Sequence, residues 1–230
     1  MKHRNWVLAA MTDQDLSALE PDLRKVSLQA GDVQYEPEYS VEWVYFPTTA
    51  VLSVVTVMQD GRTVESDTVG FESVVGALAA LSITPAVNRT FTQIAGEAIR
   101  IPAGRLRQQA EASPVLTRLL LRCVQANLAQ AHQSTACNAL HDVNQRLCRW
   151  LLLSHDRTDS DLVPLTQQYL ATMLGVQRTT VTQAVRELRA NGLIDRRRGA
   201  IHILDRARME RDVCECYVSV RTTLERLLHR

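Results

Sequence analysis

The sequence predicts an α+β protein, with a sheet-rich N-terminal half and a helical C-terminal half. From residue 26 to residue 101, apolar residues recur with a period of two in short segments, which is typical of β-strands. A helical pattern then runs for about 27 residues from Pro114. Near Gly175, two short helical segments lead into a hairpin pattern. The predicted parts are therefore an antiparallel β-roll (a cupin-like jelly roll), a long helix and a winged helix-turn-helix.

Length, charge and hydropathy restrict the class of protein. The chain has 230 residues, enough for one or two domains, and 26 basic against 25 acidic residues leave a net charge of +1. Basic residues concentrate between Arg178 and Arg211, a local pattern compatible with a nucleic-acid partner. No apolar run approaches the roughly 20 residues that span a bilayer, and the N-terminal segment lacks a secretory signal pattern. We expect a soluble, cytosolic protein with no membrane partner.

The N-terminal half divides into short strands after residues 12–25, which form helical turns with Thr12 as a cap. The strand segments are separated by turn residues, namely Gly31, Pro37, Pro47 and Asp60-Gly61. Asp60-Gly61, followed by alternating polar residues from Thr63, predicts a hairpin. A final strand is predicted from Ile94 to Ile101, with Ala95-Gly96 as a bend.

The long helix is predicted to begin at Pro114, with Ser113 as its N-cap. It would be about 40 Å long at 1.5 Å per residue, more than a small roll can cover. Much of its apolar stripe therefore needs a partner, and that stripe is formed by Leu116, Leu120, Val124, Leu128 and Ala131. The alternative is a helix folded back on its own roll. Asp142 and Gln145 form a capping-box pattern that starts a further helix, which ends near Asp156-Arg157.

The stretch from Leu165 to Leu204 carries the functional signal. Thr166 is placed to cap a helix that stops at Gly175, and a second amphipathic helix follows and ends at Asn191-Gly192. Three arginines, Arg196 to Arg198, then run into Gly199 between extended segments and predict a wing with a cationic tip. The alternative is two ordinary core helices beside a solvated charge run.

These residues resemble the CRP/FNR superfamily of bacterial transcription regulators. The family reads roughly G-x-S-R-E-T-V-x-R over the turn and second helix, where this chain reads GVQRTTVTQ from Gly175 to Gln183. Gly175, Arg178, Thr180 and Val181 match, whereas Gln177, Thr179 and Gln183 replace the family's Ser, Glu and second Arg. The strand pattern, with Gly31-Asp32, Tyr45-Phe46-Pro47 and Asp60-Gly61, is similar to the family's cyclic-nucleotide-binding-like β-roll.

The resemblance implies roles for individual residues. Base contacts in double-stranded DNA are expected from Arg178, Thr179, Thr182 and Gln183. Contacts to the DNA backbone are expected from Thr166, Gln168, Thr180, Arg196, Arg197 and Arg198. Asp142 corresponds to the family's hinge, the chain is expected to form a homodimer, and RNA polymerase is a further candidate partner.

The phosphate cassette of the family's cyclic-nucleotide pocket is altered. The candidate effector pocket consists of Glu72, Ser73, Arg89 and Thr90, but Arg89 lies 17 positions after Glu72, instead of about ten as in the family, and the expected Ala is missing after Thr90. Arg89 could reach a phosphate at a helix N-terminus or could be a strand-surface arginine. We expect an unknown effector other than cyclic AMP, or none, and no cofactor.

The cysteines and histidines suggest no metal site. Five cysteines, at positions 123, 137, 148, 214 and 216, form no C-x-x-C pair. Residues from Arg206 onward are predicted to form one terminal helix, on which Cys214 and Cys216 would not share a face. His132, His141 and His155 are interpreted as surface or core histidines.

The predicted domains are a sensor roll (1–112), a dimerisation helix (113–141) and a winged helix-turn-helix with a C-terminal helix (142–230). Catalytic motifs are absent from the sequence, so no enzyme and no catalytic residue is expected. The predicted function is a homodimeric, sequence-specific transcription regulator. The alternative is a ligand-binding module that acts through protein contacts and whose helix-turn-helix does not read DNA.

Overall fold

The structure, a computed structural model, describes residues 3–228, which cluster into two compact units. The first comprises residues 3–54, 67–130 and 222–228, and the second comprises residues 55–66 and 131–221. The strands are β1 Arg24–Leu28, β2 Val33–Tyr35, β3 Trp43–Pro47, β4 Val51–Val57, β5 Thr63–Val69, β6 Arg89–Ile94, β7 Gly96–Pro102, β8 Leu162–Val163, β9 Ile194–Arg197 and β10 Ala200–Ile203. The α-helices are α1 Trp6–Ala10, α2 Asp13–Leu19, α3 Ala77–Leu81, α4 Ala103–Ala112, α5 Pro114–Leu140, α6 Val143–Arg157, α7 Gln167–Leu174, α8 Arg178–Ala190, α9 Arg206–Asp212 and α10 Cys216–Leu228.

The first unit contains two sheets, with strand orders β1-β7-β3 and β2-β6-β4-β5. Both pairings of β7 are antiparallel, with Val26 opposite Ala98 on one side and Phe46 opposite Ile99 on the other. Alternating side chains from the strands form an apolar core that includes Tyr35, Tyr45, Leu52 and Val69. The predicted α+β fold with an antiparallel roll is confirmed.

The predicted final strand was wrong at its start. Ile94 ends β6 and Gly96 begins β7, so residues 94–101 belong to two strands. A Cβ on Gly96 would lie 2.5 Å from the Ala50 backbone nitrogen, so the two backbones approach more closely than a side chain allows. The Glu97 carbonyl accepts bonds from the amides of residues 48 to 50 at this point.

Helix α5 spans the 27 residues that the sequence predicts, and the Ser113 hydroxyl accepts a bond from the Leu116 amide. Asp142 and Gln145 form the predicted capping box at the start of α6. The tail differs from the prediction, because Val213 has an extended conformation (φ −73°, ψ 154°) that ends α9. Two helices, α9 and α10, therefore replace the single terminal helix.

The second unit carries α6 to α9, the sheet β8-β10-β9 and the end of the β4–β5 hairpin. Within it, the Trp150 indole on α6 donates a 2.7 Å hydrogen bond to the Glu65 carboxylate on β5. Among residues 3–228, no helix is both long enough and apolar enough to cross a membrane.

Candidate nucleic-acid interface

The turn between α7 and α8 has the predicted caps. The Thr166 hydroxyl accepts a bond from the Tyr169 amide at 3.2 Å, which satisfies one free donor at the start of α7. Gly175 ends the helix with φ 64° and ψ 34°, and the Val176 amide bonds to the Ala171 carbonyl at 3.1 Å. A left-handed glycine followed by such a bond is a common way to end a helix and redirect the chain.

The next helix, α8, is divided into two faces. Val181, Ala184, Val185 and Leu188 are buried, whereas Arg178, Thr179, Thr180, Gln183 and Arg186 are exposed. Its N-cap, Gln177, makes no side-chain bond to the first turn. The first amides of α8 are therefore open to an anion such as a phosphate group, whose charge the helix dipole also favours.

A polar contact joins α8 to α6, and a second bond within α8 shares the same carboxylate. The Asn144 amide donates to Glu187 at 2.6 Å, and the Gln183 amide donates to the same carboxylate at 2.7 Å. These two bonds lower the pKa of Glu187 below its ordinary value, because they stabilise the charged form. One of the two N–H donors of Gln183 is therefore engaged before any DNA is present.

A buried arginine on α6 supports the turn between α7 and α8. The Arg146 guanidinium donates to the Leu174 carbonyl at the end of α7, and its Nε donates to Asn138 at 3.0 Å. Burial lowers the pKa of Arg146, and its hydrogen bonds compensate for part of that cost. Sequence reasoning missed the supporting roles of Asn144, Arg146 and Glu187, because their partners are distant in the chain.

The wing has the predicted hairpin form. Strand β9 pairs with β10 with Arg197 opposite Ala200, so Arg198 and Gly199 form the turn, and Gly199 has φ 73°. Asp195 pairs with Arg197 at 3.4 Å and with Arg189 of α8 at 3.1 Å. Arg196 and Arg198 are exposed and have no carboxylate partner among residues 3–228. The tip of the wing thus presents two arginines, Arg196 and Arg198, that form no ion pair within residues 3–228.

The structure places the other residues of the predicted DNA interface as follows. Thr182 is half-buried and donates to the Arg178 carbonyl at 2.9 Å. Gln168 on α7 is exposed, and Thr166 is the exposed cap of that helix. Arg178, Thr179, Thr182 and Gln183 share the N-terminal half of α8.

The four candidate effector residues have partners within the first unit. The Arg89 guanidinium forms a bidentate ion pair with Glu36, with bonds of 2.9 and 2.7 Å that raise the pKa of Arg89. Ser73 is buried and donates to Asn127 on α5 at 3.0 Å. Glu72 is buried and accepts a bond from the Gly70 amide, and Thr90 is buried on β6. Glu72 and Ser73 thus have partners other than that of Arg89, and the Arg89 guanidinium is already paired with a carboxylate.

Two residues of the predicted dimer stripe are not available to a second chain. Leu116 and Leu120 are fully buried within the first unit, which corrects their assignment as dimer contacts. Leu121 and Leu128 are instead more than half exposed, at 52% and 53%. They lie seven positions apart with Val124 between them, a spacing that gives a narrow apolar seam on one side of a helix.

Gly175→Ala tests the turn. We expect a loss of about 1 to 2 kcal/mol in the free energy of unfolding, because an alanine side chain disfavours the left-handed conformation. A Cβ at this position would also lie 3.3 Å from Val64. Denaturant unfolding measures the change, with Gly192→Ala as the matched control, since Gly192 has φ 71° and no atom within 4 Å of an added Cβ. Equal losses would show that the Val64 contact contributes nothing.

An exposed polar helix seated on a second helix and flanked by a cationic hairpin defines the class of winged helix-turn-helix proteins. Residues 145–212 match the family model described as the Crp-like helix-turn-helix domain. Comparison with curated proteins gives no match.

Three solved structures illustrate the similarity of the whole chain. A protein from Eubacterium rectale assigned to the Crp/Fnr family of transcriptional regulators matches with a TM-score of 0.70 and 14% identity, over 89% of this chain and 96% of the other. FixK2 from Bradyrhizobium japonicum matches with a TM-score of 0.70 and 18% identity, over 84% and 98%. The c-di-GMP-responsive regulator CLP from Xanthomonas campestris matches with a TM-score of 0.66 and 16% identity, over 84% and 100%.

Residues 145–212 therefore form a Crp-like helix-turn-helix domain, and the chain has the fold of the CRP/FNR transcription regulators. This confirms the resemblance inferred from the sequence. The Eubacterium rectale protein is described as a transcriptional regulator, and CLP is described as a global regulator.

Proposed function

We propose that the chain is a sequence-specific, DNA-binding transcription regulator that acts as a homodimer in the cytoplasm. The observation that carries this proposal is the exposed N-terminal half of α8, with open amides and Arg178 at its start, on the same domain as the cationic wing. The first turns of a recognition helix are the part that enters the DNA major groove.

We assign different DNA contacts to the side chains on that surface. The planar guanidinium of Arg178 fits the O6 and N7 acceptors of a guanine, and it has no ion-pair partner within residues 3–228. Gln183 has the amide needed to pair with an adenine, and one of its two N–H donors is held by Glu187. Thr179 is exposed, and its methyl group can contact the methyl group of a thymine. Thr180 and Gln168 are also exposed, and we assign them to the DNA backbone.

We assign the wing to contacts with DNA phosphates. Replacing both Arg196 and Arg198 with alanine should weaken binding to all duplex sequences by a similar factor. It should also reduce the slope of log K against log salt concentration by about 4, because a bound homodimer loses two phosphate contacts from each of its two wings. Fluorescence anisotropy over a series of salt concentrations measures both effects. A change confined to one sequence would contradict the assignment, and a wild-type chain with no affinity for duplex DNA would contradict the proposed function itself.

The homodimer is proposed from α5. The exposed seam of Leu121, Val124 and Leu128 is apolar, and a second copy of the same helix would cover it through a two-fold contact. Two recognition helices would then read half-sites about 34 Å apart. We assign the hinge to Asp142, which caps α6 immediately after α5 ends and would let a signal change the angle between the two halves.

The proposal about the effector excludes one molecule, cyclic AMP, and rests on one residue, Arg89. Since Arg89 is bound by Glu36, we propose that cyclic AMP is not the signal and that the roll responds to another small molecule or to none. The alternative is a module that acts through protein contacts and does not bind DNA. It is less well supported, because it gives the exposed Arg196 and Arg198 of the wing no function. RNA polymerase is a further proposed partner, and the fold is the ground for proposing it.

A further inference from the structure

A cluster of sulfur and nitrogen donors lies in the second unit and includes none of the residues assigned to DNA contacts. Cys137, His141, Cys214 and Cys216 bring their ligand atoms within 4.8 Å of one another. The three cysteines are almost completely buried, and the His141 side chain is 15% exposed. Sequence reasoning missed this cluster because it placed Cys214 and Cys216 on one continuous helix.

The break between α9 and α10 brings the donors together. Cys214 lies in the extended connection and Cys216 is the first residue of α10, so their side chains are not held two positions apart on a helix. Cys137 and His141 are four residues apart at the end of α5, and the His141 amide bonds to the Cys137 carbonyl at 3.1 Å. Residues spaced by four share a helix face, so two pairs of donors face each other.

Two of the distances between donor atoms agree with those of a tetrahedral zinc site. A zinc ion with bonds of about 2.3 Å to sulfur and about 2.05 Å to nitrogen would separate two thiolates by about 3.8 Å and a thiolate from an imidazole nitrogen by about 3.6 Å. The Sγ atoms of Cys137 and Cys214 are 3.8 Å apart, and Cys216 Sγ is 3.6 Å from His141 Nδ1.

The surroundings also suit a bound cation. His141 turns Nδ1 toward the sulfur atoms while its Nε2 lies 3.3 Å from the Glu215 carboxylate, the outer partner that commonly orients a metal-bound histidine. The Gln133 amide donates to Cys216 Sγ at 3.0 Å. The buried guanidinium groups of Arg146 and Arg149 act electrostatically on Cys137 and offset the negative charge that three thiolates around one zinc ion would leave.

We propose that Cys137, His141, Cys214 and Cys216 form a structural Zn²⁺ site. Four protein ligands close the coordination sphere and leave no position for substrate, as in structural and not catalytic zinc centres. Binding releases the protons of the three thiols and ties the end of α5 to the start of α10. The site is independent of whether the chain reads DNA.

Metal content of the full-length protein tests the proposal. After purification under reducing conditions without chelator and incubation with Zn²⁺, elemental analysis should find about one tightly held zinc ion per chain. Replacement by Co²⁺ should give the absorption of a tetrahedral cobalt-thiolate centre. A zinc-free chain with a Cys137–Cys214 disulfide, detected by mass spectrometry without reduction, would overturn the proposal, as would a zinc-free chain with three free thiols.

Matched variants assign the ligands. Cys214→Ala should lose the zinc, whereas Cys148→Ala, which removes a buried thiol of the same unit outside the cluster, should retain it. Should Cys214→Ala fail to fold, His141→Ala and His141→Cys decide the question, because only the second keeps a fourth ligand. Chelation should also lower the melting temperature of the wild type and leave that of His141→Ala unchanged. Retention of zinc by His141→Ala and Cys214→Ala alike would contradict the assignment.

Discussion

Replacing Arg178 with alanine is expected to weaken binding by about 5- to 150-fold per half-site, equivalent to about 1 to 3 kcal/mol for each lost contact. The exposed guanidinium stands at the start of α8 without an ion-pair partner within residues 3–228, so its removal disturbs no internal contact that would lower stability. Selectivity should relax at one base pair per half-site, because one bidentate contact to a guanine is lost. Binding assays on the site and on its single-base variants measure both effects.

Arg24→Ala is the control for the loss of one positive charge. Arg24 is exposed on β1 of the first unit, and within residues 3–228 its side chain bonds to the backbone carbonyls of Pro21 and Leu23. It should leave specific affinity within about twofold, since a single distant charge is screened at physiological salt. Equal losses for Arg178→Ala on every sequence would show that Arg178 contacts a phosphate and not a base.

Leu128→Asp is expected to separate the dimer. The side chain is 53% exposed on the seam of α5, and in a two-fold interface each substitution introduces two carboxylates into an apolar contact. The dimer dissociation constant should rise by at least about 100-fold, equivalent to about 2.7 kcal/mol. Sedimentation at several protein concentrations measures it, and affinity for a two-fold symmetric site should fall with it while that for a single half-site stays constant.

Leu78→Asp is a matched control, because Leu78 on α3 is 54% exposed and lies outside the proposed seam. It should leave the dimer intact. A Leu128→Asp chain that still sediments as a dimer would move the interface to another surface of the chain. A wild-type chain that is monomeric at all concentrations would contradict the homodimer directly.

Local rules account for what the sequence predicted well. Thr166, Gly175 and Asp142 are caps whose partners lie within a few residues, so the start of α6 and both ends of α7 could be derived from the sequence alone. The cationic wing could be derived in the same way, since its turn residues and alternation are adjacent in the chain.

Long-range contacts account for what the sequence did not predict. The Glu36 partner of Arg89 is 53 positions away, and no local pattern pairs them. The choice between the two apolar sides of α5 depended on which side the first unit buries, so Leu116 and Leu120 were assigned to the wrong contact. The donor cluster needed both the helix break at Val213 and the approach of Cys137 from 77 positions away.

The central claim is that the chain is a dimer that reads DNA without cyclic AMP. Selection of bound duplexes from a random pool tests it most directly, with purified full-length protein at physiological salt, with and without cyclic AMP. We expect enrichment of a two-fold symmetric site, with half-sites about one helical turn apart, to the same extent under both conditions. Enrichment only with cyclic AMP would restore a phosphate role for Arg89, and no enrichment under either condition would contradict the DNA-reading function and favour action through protein contacts.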